Sequence, residues 1–519
     1  MVLRRSLQAA TVRVMGHKRS YEEAVRLLNG LQFEADRTKL SNRPSPAENL
    51  PDTEKYLKKL GIAVADLDRL KVVHVAGTKG KGSTCAFTES ILRCLGFKTG
   101  FFSSPHLIHV RERIRINGVP LTETTFASHF FSTFDCLSAT DDQSASAVLP
   151  PYFNFLTLMA FDVFLKEEVD VAVVEVGIGG EYDCTNVVRC PSVCAVTTLD
   201  YDHVSLLGGA MASIAWNKLG VLKPNSVALL APPHAALPDA EARDIHRLAR
   251  ERSLEKQCPI YVVPPLTAVG AAPLELGLQG DHQRQNAALA LQIARLWLQR
   301  NASELWQSLN IPRVDTHFSA THAQDLRCVS AFDVPREFAQ GLANCQWAGR
   351  GQVLQRNSIT YYLDGAHTVH SLKCCVDWFA SSSEGCEKRT RRVLLFACTG
   401  ERTAEALLPQ LVRADSLDWS VACFCPTTTR LSDLDDKSGD SHRKGAQRFY
   451  AAQLERSRKQ LELWKRLCST SADSTKTFSC VVEALSWLDE TFGASETPTR
   501  VLVTGSLYLV GSALSVLSQ

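Results

Sequence analysis

The fold is set by the stretch VVHVAGTKGKGST, which occupies residues 72–84. Its first five residues are apolar apart from His74 and predict a buried strand, and a glycine-rich loop follows at once. Residues 83–95, closed by Gly96, then show a helical pattern. A strand, a tight glycine loop and a helix in succession are typical of phosphate binding. Glycines let backbone N–H groups approach the anion, and the helix N-terminus is positively polarised.

The loop supplies a set of candidate phosphate-binding residues, namely Gly77, Thr78, Lys79, Gly80, Lys81, Gly82 and Ser83. Lys81 can reach the outer phosphates, and Ser83 can lie near a metal ion. The spacing departs from the common G-x-x-x-x-G-K-[ST] pattern, because Gly82 separates Lys81 from Ser83. A glycine loop alone also fits a plain strand-to-helix turn, but the two lysines and the hydroxyls favour phosphate.

Strands and helices alternate outward from this stretch along most of the chain. Strand patterns recur at residues 98–103, 170–176, 193–199, 227–231 and 260–263, and helical patterns at 152–165, 239–252 and 282–298. The alternation weakens at residues 300–345 and restarts at 360–363, ending with a strand pattern at 501–504. Such alternation predicts an α/β fold, with mostly parallel sheets covered on both faces.

The length of 519 residues exceeds one ordinary hydrophobic core. We therefore expect an N-terminal domain over residues 20–340 and a smaller C-terminal domain over 341–519, behind a basic leader at 1–19. The segments 381–392 and 427–446 are rich in charged and Ser residues, which predicts surface insertions.

The bulk composition is that of a soluble globular enzyme, with 45% hydrophobic and 22% charged residues. A net charge of +2 gives no indication of nucleic-acid binding, and no apolar run approaches the roughly 18 residues of a membrane span. The 17 cysteines lack CxxC pairs and suit a reducing cytosol or mitochondrial matrix. The leader contains five basic and no acidic residues, so both a mitochondrial transit peptide and a frayed basic terminus stay open, and Met15 is an alternative start.

Three further loops follow strand patterns, at residues 102–106, 175–180 and 200–203. Glu175 ends an apolar strand, which is an unusual place for a charge unless something binds it. Ser104 and His203 can complete a Mg²⁺ site with Glu175, although His is an uncommon Mg²⁺ ligand. Lys218 lies in a helical pattern and, taken alone, reads as a solvated lysine.

Eight segments then match one family together, in order and spacing, from about residue 20 to the C-terminus. They are HVAGTKGKGST (74–84), GFFSSPHL (100–107), RERIRING (111–118), VEVGIGG (174–180), YDCTN (182–186), HQRQNAALA (282–290), YLDGAH (362–367) and VLVTGSL (501–507). The chain thus resembles the folylpolyglutamate synthase family of the Mur-ligase superfamily. The resemblance implies a P-loop-type, mostly parallel N-terminal sheet flanked by helices, and a smaller Rossmann-like C-terminal α/β domain.

The implied activity is an ATP-dependent ligation. L-glutamate joins the γ-carboxylate of a folate through an acyl phosphate, and ADP and phosphate are released. The resemblance assigns Mg²⁺ to Ser104, Glu175 and His203, allows a monovalent cation such as K⁺, and makes Lys218 a carbamylated lysine. It gives Lys81, Lys218 and His203 catalytic roles.

The same resemblance assigns ATP contacts to Asn286, Arg350 and Asp364. It assigns the folate and glutamate substrates to Ser103, Pro105, His367 and Ser506. Its implied partners are small molecules, with neither nucleic acid nor stable membrane insertion, and nothing in the sequence indicates more than a monomer. The compartment is the mitochondrial matrix, the cytoplasm or both.

Some positions depart from the family pattern, and two rival functions stay open. Asn217 precedes Lys218 where Gln or Glu is usual, and Ala348 stands where Pro is common. A dihydrofolate synthase, or an enzyme with both activities, differs in its pterin substrate, which the motifs do not determine. A nucleotide-binding switch without ligase chemistry would need the phosphate loop but not Glu175, His203 and Lys218 together.

Overall fold

The computed structural model describes residues 19–38, 46–139, 148–268, 274–319, 326–382, 390–399, 403–412, 417–434, 440–468 and 474–519. The chain divides into two compact units. Unit 1 comprises residues 1–106, 110–275 and 285–344, and unit 2 comprises 107–109, 276–284 and 345–519. The main division thus follows Asn344, and two short segments that precede it in the chain, 107–109 and 276–284, group with unit 2. The predicted leader lies outside the described residues except for Arg19, which pairs with Asp135 at 2.8 Å.

Unit 1 contains a mixed sheet whose strands stand in the order β4-β3-β2-β5-β1-β6-β7-β8-β9. The strands are β1 (Val73–Ala76), β2 (Thr99–Phe102), β3 (Ile114–Ile116), β4 (Val119–Pro120), β5 (Val171–Glu175), β6 (Val193–Val196), β7 (Ala228–Leu230), β8 (Ile260–Val262) and β9 (Arg327–Cys328). From β2 to β9 neighbouring strands are parallel, whereas β3 and β4 form an antiparallel edge. The central strands are wholly buried, which suits runs of Val and Ala covered on both faces.

Helices cover this sheet. They are α1 (Tyr21–Thr38), α2 (Asn49–Lys59), α3 (Lys81–Cys94), α4 (Glu123–Ser138), α5 (Tyr152–Lys166), α6 (Val204–Leu207), α7 (Met211–Lys218), α8 (Asp239–Lys256), α9 (His282–Asn301), α10 (Ser303–Ser308) and α11 (Arg336–Ala343). Helix α5 is buried nearly all round. The rings of Phe130 in α4 and Phe155 in α5 lie 5.1 Å apart, and each buried phenylalanine contributes roughly 1.5–3 kcal/mol by leaving water.

Unit 2 contains a second sheet in the order β10-β11-β15-β12-β13-β14. Its strands are β10 (Gln352–Arg356), β11 (Ile359–Leu363), β12 (Arg391–Phe396), β13 (Val421–Phe424), β14 (Thr475–Thr477) and β15 (Thr499–Thr504), and all but the edge strand β10 run parallel. Its helices are α12 (Val369–Ser381), α13 (Ala404–Val412), α14 (Asp440–Cys468), α15 (Val481–Phe492) and α16 (Leu507–Leu517). The predicted pair of α/β domains, with two mostly parallel sheets flanked by helices, is confirmed.

The structure corrects the predicted insertion at residues 427–446. Its first residues belong to the folded unit, because Thr427 accepts a hydrogen bond from the Ser512 hydroxyl at 2.7 Å and Thr428 accepts one from the Val481 N–H at 3.0 Å. At the other end, helix α14 begins at Asp440, so only residues 435–439 lie outside the described chain. The insertion predicted at 381–392 is likewise shorter, because Arg391 already belongs to β12 and only residues 383–389 are outside the description.

Two further features of the described residues concern disulfide bonds and membrane-spanning helices. Their cysteines form no disulfide. Within the same residues, no helix combines the length and the apolar character needed to cross a bilayer.

Candidate active site

Four of the predicted site segments follow strands that are neighbours in the sheet of unit 1. Strand β1 lies between β5 and β6, with Val75 opposite Glu175 and Ala76 opposite Val196, and β2 lies on the far side of β5. Because these strands are parallel, their carboxyl ends meet at one edge, where open α/β sheets bind ligands. The phosphate loop, the Ser103–Pro105 segment, Glu175 and the His203 loop therefore share that edge.

The glycines of the phosphate loop are there for two physical reasons. Gly77 and Gly80 have φ angles of +137° and +87°, which other residues rarely adopt. A Cβ on Gly77 would overlap the Thr197 hydroxyl, and a Cβ on Gly80 would overlap the side-chain amide of Asn286. Both positions therefore require glycine. Asn286, predicted to contact ATP, lies directly against the loop.

The loop is held to the segment that follows β6. The backbone N–H groups of Thr78 and Lys79 both donate to the Thr198 carbonyl, at 3.0 and 3.1 Å, and the Thr78 hydroxyl donates to the Asp200 carbonyl at 3.0 Å. The Lys79 ammonium pairs with Asp202 at 2.9 Å, and both side chains are mostly buried. Lys79 is thus engaged by the protein, and the pair fixes the loop that carries His203. Asp202 was not among the predicted site residues, although the Asp-x-Asp pattern at residues 200–202 could have indicated its role.

Helix α3 begins at Lys81, two residues before the predicted start at Ser83, and its capping residue Gly80 has no side chain to accept from the first N–H groups. Lys81 therefore places a cation at the positively polarised end of a helix, which is unfavourable unless an anion binds there. The Thr84 hydroxyl is buried without a hydrogen-bond partner among the described residues. A bound phosphate would relieve all three features, so this edge fits an anionic ligand.

The predicted metal ligands Ser104 and Glu175 are adjacent. The Ser104 N–H donates to the Glu175 carboxylate at 2.9 Å, and Glu175 is only 4% exposed. His203 has a φ of +52° and stands at the start of α6. No group of three or more His, Cys, Asp and Glu side chains is gathered for a metal in the described part of the chain. A hydroxyl, a carboxylate and one His nevertheless fit Mg²⁺, which commonly completes its shell with water and phosphate oxygens.

Lys218 is not the solvated helix lysine that its local sequence suggests. It ends α7, is 3% exposed, and donates from its Nζ to the Gly77 carbonyl at 2.9 Å. Burial, assisted by the nearby charge of Lys81, holds the pKa of the Lys218 ammonium well below its ordinary value of 10.5. A buried amine that readily loses its proton is the form that can react with CO₂.

The predicted site residues of unit 2 lie at the carboxyl ends of its own strands. Asp364 follows β11 and accepts the N–H groups of Gly351 and Ala366, both at 2.9 Å. Ser506 follows β15, and its hydroxyl caps α16 by accepting the Tyr508 N–H at 3.2 Å.

Arg350 and His367 complete the predicted set in this unit. The Arg350 guanidinium donates to the Gly349 carbonyl at 3.3 Å. The His367 ring donates from Nδ1 to the Gly365 carbonyl at 2.6 Å, so its Nε2 is the acceptor in the neutral form. Both side chains are partly exposed, whereas Asp364 is 6% exposed.

Comparison with known proteins identifies the relatives of this chain. No family model matches it. It is 40% identical over 555 residues to the mitochondrial folylpolyglutamate synthase of Bos taurus, covering 96% of this chain and 92% of that protein. It is also 40% identical over 506 residues to a putative folylpolyglutamate synthase of Caenorhabditis elegans, with the same coverage. A solved structure of the Mycobacterium tuberculosis folylpolyglutamate synthase complexed with ADP and AMPPCP aligns with a TM-score of 0.66 at 21% identity, covering 95% of this chain and 99% of that one.

Proposed function

The chain belongs to the folylpolyglutamate synthase family, and from that premise we propose that it joins L-glutamate to the γ-carboxylate of a folate at the expense of ATP. In the first step the folate carboxylate attacks the γ-phosphorus of ATP, and ADP leaves. In the second step the glutamate amine attacks the resulting acyl phosphate, an amide bond forms and phosphate leaves. One enzyme must therefore hold a triphosphate and two carboxylate substrates.

The phosphate loop supports the first of these tasks. Gly77 and Gly80 give the loop backbone angles that other residues rarely adopt, and the uncapped start of α3 offers N–H groups to phosphate oxygens. Lys81 would offset charge on the phosphoryl group during its transfer, because no ion pair engages it among the described residues, whereas Lys79 is paired with Asp202. Lys81 is the better catalytic candidate for this reason.

Ser104, Glu175 and His203 would hold Mg²⁺, which when bound supplies positive charge to the phosphate oxygens. Carbamylation of Lys218 would convert its neutral amine into an anionic oxygen ligand and so add a further donor at this edge. The burial of Lys218 and its depressed pKa support that reaction, since only the unprotonated amine attacks CO₂. The Nζ atom forms a bond to the carbon of CO₂ and releases one proton.

One observation carries the proposal: the phosphate loop, Glu175 and the buried Lys218 lie together at one sheet edge. A simple nucleotide-binding switch has no need of a neutral buried lysine beside its phosphate loop. Asn286, which lies against Gly80, is proposed to contact ATP, as are Arg350 and Asp364. The match to the family motifs supports the proposed substrate residues, which are Ser103, Pro105, His367 and Ser506.

The decisive experiment separates the proposed reaction from its rivals. The purified chain is incubated with ATP, Mg²⁺ and labelled glutamate, and with either tetrahydrofolate or dihydropteroate. We expect label in a folate product and ADP release that needs both tetrahydrofolate and glutamate. Product with dihydropteroate alone would establish the dihydrofolate synthase, and ADP release independent of both substrates would establish the switch.

The proposed compartment is the mitochondrial matrix, the cytosol or both. The Bos taurus relative is named mitochondrial, and the basic, acid-free composition of residues 1–19 suits import. The cysteines within the described residues form no disulfide and are compatible with either reducing compartment.

A further inference from the structure

A buried ionic cluster lies beside α7 and has no part in the reaction described above. Its centre is Arg252 of α8, whose side chain is only 2% exposed and pairs with Glu181. Lys256 binds the same Glu181 carboxylate at 3.1 Å. The guanidinium carbon of Arg252 also lies 4.5 Å from the centre of the Trp216 ring, and Trp216 is two residues before Lys218 on α7.

The backbone next to Glu181 holds the end of the same helix. The Glu181 N–H donates to the Asn217 carbonyl at 2.8 Å, one residue before Lys218. The Asn186 amide nitrogen bridges the carbonyls of Glu181 and Gly220, at 3.0 and 3.1 Å. Gly220 must lack a side chain, because a Cβ there would overlap Glu181. Glu181 therefore connects Arg252 to both flanks of Lys218.

The ion pair between Arg252 and Glu181 is expected to add little to the free energy of unfolding, which indicates a role other than stability. Buried ion pairs contribute little net stability, because removing two charges from water offsets most of their attraction. Arg252 also pairs with Glu255 at 2.5 Å, but the Glu255 side chain is 53% exposed and would remain hydrated if Arg252 were replaced. An apolar side chain of similar size at position 252 would still cover Trp216, and Glu181 would keep Lys256 as its partner. What only the planar guanidinium supplies is a fixed geometry between Glu181 and the ring of Trp216.

We infer that Arg252 is a positioning residue for the catalytic edge: through Glu181 and Trp216 it fixes the end of α7 so that the Lys218 Nζ meets the Gly77 carbonyl. The inference rests on the proposed function, since it takes Lys218 to be part of the active site. Within the described part of the chain, the ion pairs and ring contact of Arg252 reach neither Lys218 nor the phosphate loop, so its effect must pass through α7.

The test compares Arg252→Met with Arg247→Met in the full chain. Arg247 lies on the same helix but is half exposed, and among the residues that the structure describes it pairs with Asp244 and Glu251 alone, so it is a matched control. We expect Arg252→Met to lower kcat about tenfold or more, since small misplacements of catalytic groups have effects of that order, with the KM for ATP within about twofold of wild type. Arg247→Met should keep the wild-type kcat. A folded Arg252→Met enzyme with unchanged kcat would overturn the inference.

A double-mutant comparison separates positioning from general damage. In a Lys218→Ala background, measured by single-turnover kinetics at high enzyme concentration, Arg252→Met should cause no further loss. The same fold-loss in both backgrounds would overturn the inference and leave the proposed function intact. Near-normal turnover of Lys218→Ala alone would overturn both. If Arg252→Met does not fold, Arg252→Lys and Lys256→Met take its place, and both should show a smaller fall in kcat at unchanged KM.

Discussion

The two sheets have the same parallel architecture at their carboxyl edges, but the polar groups there differ in whether the protein itself satisfies them. At the edge of unit 1, Lys218 is buried in surroundings that hold its pKa well below the ordinary value, and Lys81 opens a helix at its positively polarised end. At the edge of unit 2, both oxygens of Asp364 accept backbone N–H groups, and Ser506 caps a helix. Lys81 and Lys218 are thus placed unfavourably when no ligand is bound, whereas Asp364 and Ser506 make favourable hydrogen bonds within the protein itself.

This comparison predicts that mutations at the two edges differ in their effects on catalysis and on stability. Loss of Lys81 or Lys218 at the first edge should affect catalysis with little loss of stability, because both cations are placed unfavourably in the absence of a ligand. Residues of the second edge should affect stability whatever their role with substrates, because they satisfy backbone groups.

The largest effect is expected for Lys81→Ala. Loss of the cation nearest the transferring phosphoryl group should reduce folate-dependent ADP release by about 10³-fold. Stability should stay the same or rise by about 0.3–1 kcal/mol, because a cation is removed from a helix N-terminus. Steady-state kinetics and urea unfolding measure the two quantities. A clear loss of stability with activity retained would reverse the proposed contrast.

The next effect is expected for Asp364→Ala in unit 2. It would leave the buried N–H groups of Gly351 and Ala366 without acceptors, at about 1–3 kcal/mol each. The unfolding midpoint in urea should fall accordingly, with a smaller fall for Asp364→Asn, which keeps one acceptor oxygen. An unchanged midpoint for the alanine variant would show that this edge is not held by its aspartate.

The smallest effect is expected for Lys218→Met, which should change how the free energy of unfolding depends on pH. Because the folded-state pKa is depressed, the unfolded state binds more protons from that depressed pKa up to 10.5, and stability rises with pH across this window. Lys218→Met removes this dependence. In CO₂-free buffer the variant should be more stable than wild type at pH 7, and the difference should shrink as the pH approaches 10.5. Urea unfolding at several pH values measures it, and parallel curves would contradict the depressed pKa.

Local patterns predicted much of the fold. The helices predicted at 152–165 and 282–298 begin at the predicted residues and end one and three residues later than predicted, because long apolar patterns are the strongest helix signal. The β3–β4 hairpin was not predicted, since strands of three and two residues are too short to show alternation. Helix α4 was also not predicted, although Thr122 is an N-cap and Phe126, Phe130 and Phe134 recur every four residues.

The sequence by itself determined the phosphate loop and the α/β class, because glycine placement and hydrophobic period are local properties of the chain. Only the tertiary structure decided the state of Lys218. Its sequence neighbours make it an ordinary helix lysine, but its hydrogen bond joins it to Gly77, 141 residues away. Burial, and with it the pKa, depends on which helices pack around a group. The same holds for Arg252, whose partner Glu181 lies 71 residues earlier.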